Sequence, residues 1–225
     1  MTKIKTKSFE KWTQQELMKT FNLNKLNQLP VLEAWLTLTL PPELALTPAE
    51  REFLTKKQFE AIEFIETWSE QELIIRYIAH ILEFAHLSQR DYQPFAQRQL
   101  KAKVGDYYLS GMVDLMIASG HFEPESPYFC FHEYKRTHTG HDSDPVGQLL
   151  ATMLAAQAIN QDINQLQPIY GVYVIGRLWY FAVLLKSEYA ISLPFDSTKA
   201  ELWDIMRLLA GLNVLFASRK LTMND

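Results

Sequence analysis

The chain has 225 residues, of which 48% are hydrophobic and 21% charged, and a net charge of −4. Such a composition is that of a globular protein with a substantial core, and the acidic balance argues against coating nucleic acid by bulk electrostatics, which needs many cationic contacts to phosphate. A lone cysteine, Cys130, excludes an intramolecular disulfide framework, and its place inside "YFCF" marks it as a buried thiol.

The first residues, "MTKIKTKSFEKW", are basic but lack the apolar segment of a signal peptide, and no later run approaches the length of a membrane span. A cytoplasmic protein without membrane contact is the expectation. Residues 1–66 read as a helical extension joined by polar and proline-containing turns. In "LTPAERE", Thr47, Pro48 and Glu50 form a capping box with proline at the first helical position, which predicts a helix running towards Phe59. The following segment, to about Leu87, has helical spacing throughout, as one helix or as two meeting near Trp68-Ser69.

From about residue 92 the period changes. "YQPFAQRQLKAKVG" alternates, Gly105-Asp106 supplies a turn, and "YYLSGMVDLMIA" follows, which predicts a hairpin. After a loop with glycine and prolines, "YFCFHEYK" is apolar on both faces and reads as a central strand. Asp144 as N-cap and Pro145 open an Ala/Leu-rich helix to about Asn160, "IYGVYVIGRLWYFAVLL" gives two strands around Gly176-Arg177, "EYAISLPF" offers a further one, and an amphipathic helix closes the chain. The order predicts an α/β (α+β) fold, a mixed sheet flanked by helices over residues 67–225.

Two strands carry charges among apolar neighbours: Asp114 between Val113 and Leu115, and Glu133 and Lys135 at the end of "FCFHEYK". Alternation puts Glu133 and Lys135 on one face and Tyr134 on the other, and a buried charge requires a partner. If the neighbouring strand brings Asp114 alongside, two carboxylates and a lysine converge. Such oxygens suit Mg²⁺, and the lysine could orient or activate water or neutralise a phosphate transition state.

Asp114, then Glu133-Tyr134-Lys135, then Gln148 on the next helix, in that order on those elements, resembles the PD-(D/E)XK nuclease superfamily, whose αβββαβ core is restriction-endonuclease-like. The resemblance covers about residues 69–185. It implies Mg²⁺ or Mn²⁺ held by Asp114 and Glu133, Lys135 serving the water and scissile phosphate, Gln148 assisting, DNA as partner and a carboxylate from the first core helix. For that carboxylate, Glu70 shares a face with Leu73, Ile74, Tyr77 and Ile81, whereas Glu72 is explained by a capping box with Ser69. Val113 replaces the family's proline before the aspartate, and Thr152 stands where one branch has tyrosine.

On this reading Arg136, His138 and His141, just after the catalytic strand, are candidate substrate contacts, as are Arg98 and Lys101 on the first hairpin strand. The edge-strand lysines also have a plain explanation as solvated residues. His138, His141 and Asp142 lack a zinc-ligand spacing and read as a polar loop. A non-catalytic binding or assembly module with the same fold, and a hydrolase using Asp114 and Glu133 as an acid–base pair, stay open as alternatives. So does homodimerisation.

Overall fold

The computed structural model describes residues 4–137, 144–162 and 167–221. Among these, nine strands form one mixed sheet: β1 (Lys5–Ser8), β2 (Asn24–Lys25), β3 (Gln93–Val104), β4 (Tyr107–Ser119), β5 (Glu125–Lys135), β6 (Ile169–Ile175), β7 (Leu178–Leu185), β8 (Glu188–Ile191) and β9 (Phe195–Asp196). The helices are α1 (Gln14–Phe21), α2 (Pro30–Leu36), α3 (Pro48–Phe64), α4 (Glu70–Leu73), α5 (Ala79–Phe84), α6 (Pro145–Asp162) and α7 (Leu202–Leu221). The sheet runs β1-β4-β5-β6-β7-β8-β2, with β3 paired to β4 and β9 to β7.

β5 is central, antiparallel to β4 and parallel to β6, and α6 makes the crossover that a parallel pair requires. One core, with Trp35, Tyr77, Trp179 and Phe216, joins α2, α3, α5 and α7 to one face of the sheet. The other, with Phe9, Trp12, Leu149 and Met153, joins α1 and α6 to the opposite face. The result is a sheet between two helical layers. No helix among the described residues is long and apolar enough to cross a membrane.

Residues 1–66, expected as a helical extension, are not helical throughout. β1 pairs in parallel with β4, on the edge that β4 shares with β5, and β2 pairs in parallel with β8, so the segment supplies two strands to the sheet. Its Leu29, Leu32 and Leu54 belong to one core, and its Phe9, Trp12 and Leu17 to the other. The Thr47 capping box forms, and α3 runs five residues past Phe59 to Phe64. Helical spacing then gives way to a 3-10 turn at Ile65–Thr67 and an extended Trp68. Ser69 and Glu72 form a second capping box, so the next helix starts at Glu70. A π-helical turn, Ile74–Ile78, links α4 to α5.

Candidate active site

The expected residues meet at the C-terminal end of β5, between the first turns of α4 and α6. β4 and β5 pair as far as Leu115 and His132, with register shifts on both sides of Ala118. Beyond that point the Asp114 side chain takes over, and its Oδ2 accepts a hydrogen bond from the Tyr134 backbone N–H at 3.0 Å. The carboxylate is thereby held by β5 itself. Its Oδ1 accepts from Gln97 Nε2 at 3.2 Å.

Glu133 and Lys135 share the face that α6 covers. Glu133 Oε1 lies 2.6 Å from Lys135 Nζ, and its Oε2 accepts from Gln148 Nε2 at 2.7 Å. Lys135 Nζ also lies 3.7 Å from Glu70 Oε2. Glu72 points elsewhere, accepting from the Ser69 backbone N–H at 2.9 Å and pairing with Arg76. On the opposite face, Tyr134 Oη and His132 Nδ1 are 3.0 Å apart. Burial holds the His132 imidazole down at about 3, so this pair is neutral core.

The first turn of α6 places Gln148. Asp144 Oδ1 accepts from the Gly147 N–H at 2.9 Å as a helix cap, while its Oδ2 accepts from the Gln14 N–H at 2.7 Å. That second bond ties the helix start to the N-terminal segment. A Cβ on Gly147 would meet the Trp12 carbonyl oxygen and the Gln14 nitrogen, so only glycine permits this approach of two backbones.

Electrostatically the cluster is strained. Glu133 is only 3% exposed. Burial first, and the Asp114 charge second, raise its carboxyl from 4.5 to about 8 despite Lys135. Burial likewise raises Glu70, against the pull of Lys135. Burial alone would lower the Lys135 ammonium, but the charges of Glu133, Glu70 and Asp114 outweigh it and hold it above the ordinary lysine value. At neutral pH Lys135 is therefore a cation and no base; it can hold an anion or orient water.

A cleft of about 440 Å³ opens here, lined by Asp114, Lys135, Gln148, Gln97 and Gln99, with Ser8, Phe9 and Glu10 forming a further wall. Asp114, which lines the cleft, and Glu133, which is buried and does not line it, offer hard carboxylate oxygens of the kind a Mg²⁺-type cation takes, and burial and its neighbours destabilise the Glu133 anion. No group of three or more His, Cys, Asp or Glu residues forms a ready metal cage among the described residues, whereas Mg²⁺ needs only one or two protein carboxylates.

The candidate substrate contacts are dispersed. Arg136 is exposed just past β5, close enough for its charge to act on Glu70. His138 and His141 lie outside the described residues. Arg98 is paired with Glu123 at 3.3 Å, and Lys101 is exposed over the Tyr108 ring.

Gln97 was not expected. It sits opposite Asp114 at a break in the β3–β4 ladder, in a left-handed conformation with φ 52° that is uncommon for glutamine. A signal for it exists in the sequence: the buried side chains of β3 change from odd to even positions between Phe95 and Leu100, while the register with β4 is the same on both sides of Gln97. Ser8, Phe9 and Glu10 carry no comparable signal. No protein-family model and no curated protein matches the chain.

Proposed function

We propose that this chain is a metal-dependent phosphodiesterase acting on DNA, of the PD-(D/E)XK type, with a restriction-endonuclease-like core formed by α4–α5, β3, β4, β5, α6 and β6. The observation that carries the reading is the convergence at one strand end of Asp114, Glu133 and Lys135, with Glu70 and Gln148 in support. Two carboxyl groups beside a lysine that remains cationic are a suitable holder of a divalent cation and a phosphate.

Asp114 and Glu133 would hold Mg²⁺ or Mn²⁺, which when bound supplies Lewis-acid polarisation of the phosphate and a more acidic water. The protein's own groups set the stage. The Tyr134 N–H and Gln97 fix both oxygens of Asp114, and Gln148 fixes one oxygen of Glu133. Lys135, held between Glu133 and Glu70, presents a positive charge where negative charge builds on the phosphoryl oxygens.

The test is cleavage of single- and double-stranded DNA with Mg²⁺ or Mn²⁺ by the natural protein, Asp114→Ala and Lys135→Ala. Loss of about 10²-fold or more in each variant is expected, the scale of removing one preorganised charged group. Absence of both cleavage and metal binding would point instead to a non-catalytic module, and cleavage that persists in chelator would point to a metal-free hydrolase.

A further inference from the structure

Beyond Gln97 the outer face of the β3–β4 hairpin leads away from the site. The left-handed turn at Gln97 shifts the alternation of β3, so that Leu100 and Ala102 enter the core while Gln99, Lys101 and Lys103 face solvent. Cross-strand register sets these three opposite Met112, Ser110 and Tyr108 of β4. Residues directly opposite in a ladder share a face, so two parallel rows result.

One row is an amide followed by two ammonium groups, and the other ends in an aromatic ring. Lys101 Nζ lies 4.8 Å from the Tyr108 ring centroid. Among the described residues neither Lys101 nor Lys103 has a carboxylate in ion-pair range, whereas Arg98, on the other side of the strand, is held by Glu123. Two cations without a counter-charge on an exposed strand of an acidic chain are a local exception to its balance.

The strip is continuous with the cleft, because Gln99 and Met112 line the same cavity as Asp114 and Lys135. Side chains two apart on a strand are separated by ~6.8 Å, and neighbouring strands by ~4.8 Å. From Gln99 to Lys103 the path is thus ~14 Å long and one ladder wide, the proportions of a single extended strand. Cations tracking a backbone beside an aromatic platform are the makeup of single-stranded nucleic-acid grooves.

We propose that this face of the hairpin carries a single DNA strand from the cleft, with Lys101 and Lys103 on its phosphates and Tyr108 against a base. The proposal deepens the phosphodiesterase reading and rests on it for the choice of DNA.

The experiment is fluorescence anisotropy of a labelled oligodeoxythymidine with the full chain, in chelator so that no cleavage occurs, across ~50–200 mM NaCl. For the double variant Lys101→Gln/Lys103→Gln, the slope of log affinity against log salt should shrink by about 1.4, or ~0.7 for each phosphate no longer neutralised. Tyr108→Ala should weaken binding roughly 5- to 100-fold, the range for one stacked base, without changing the slope. Lys56→Gln on α3, where Lys56 already pairs with Glu52, should change neither.

An unchanged slope in the double variant, binding of a duplex in preference to the single strand, or no binding by the natural protein would each overturn the proposal. Its failure is separable from that of the site. If the slope falls as expected but Mg²⁺-dependent cleavage is absent, the path stands and the phosphodiesterase reading falls. If cleavage depends on Asp114 and Lys135 while the slope is unchanged, the reverse holds.

Discussion

Glu133→Gln should stabilise the protein while abolishing the proposed phosphodiesterase activity. The carboxyl titrates at about 8 in the folded chain against 4.5 for the ordinary group, so the native state prefers it protonated. Stability from this group is complete below about 4.5 and is lost as pH rises towards about 8, because the unfolded chain releases the proton first. At ~1.4 kcal/mol per pH unit, the loss reaches a ceiling of about 3 kcal/mol at pH 7 and about 5 above pH 8. Glutamine keeps the shape and an oxygen for Gln148, but its amide faces the Lys135 ammonium. The net gain should therefore be nearer ~1–3 kcal/mol at pH 7. Urea denaturation in chelator at several pH values between about 5 and 9 measures it. The variant-minus-wild-type difference should widen with pH and level off above 8. Subtraction removes the opposing contribution of His132, whose lowered value costs stability as pH falls below its unfolded value. A difference that stays flat, or narrows as pH rises, would refute the reasoning, since it would mean that Lys135 keeps Glu133 ionised at no net cost.

Three further predictions concern the supports. Glu70→Gln should lower the turnover of DNA roughly tenfold by removing one of the carboxylates around Lys135, whereas Glu72→Gln, which can still complete the Ser69 capping box, should leave turnover and melting temperature near wild type. Gly147→Ala should destabilise the fold by about 1–3 kcal/mol in urea titrations, because its methyl group would collide with backbone atoms of Trp12 and Gln14. Gln97→Gly should move two readouts in opposite directions: melting temperature unchanged or raised by relief of the left-handed backbone, and turnover lowered by loss of the amide on Asp114. Equal falls in both would show that Gln97 is merely structural.

The parts of the fold visible in the sequence are those written in strong local signals. The hairpin about Gly105-Asp106, the central strand ending in Glu133-Tyr134-Lys135 and the helix opened by Asp144-Pro145 all form. So do the two capping boxes, and the one at Ser69 explains why Glu70, at the first helical position, is left to approach Lys135. Harder to read were elements whose existence depends on distant partners. "KTKS" and "NK" have no alternation of their own and become strands only because β4 and β8 offer edges. Gln97 was hidden for a related reason: its role depends on the ladder partner opposite it, and only the change of parity from Phe95 to Leu100 betrays it. Ordinary alternation beyond Gln97 sets Arg98 and Lys101 on opposite faces, although both read from the sequence as substrate contacts.

The attachment of β1 and β2 also sets a timetable for synthesis. Lys5 pairs with Tyr107, and Asn24 with Glu188, 164 positions further along the chain (188 − 24). At ~5–20 residues per second, a nascent Asn24 waits about 10–30 s before its partner strand has even been translated. Lys-Thr-Lys-Ser and Asn-Lys contain no apolar side chain that would drive association before their partner strands exist.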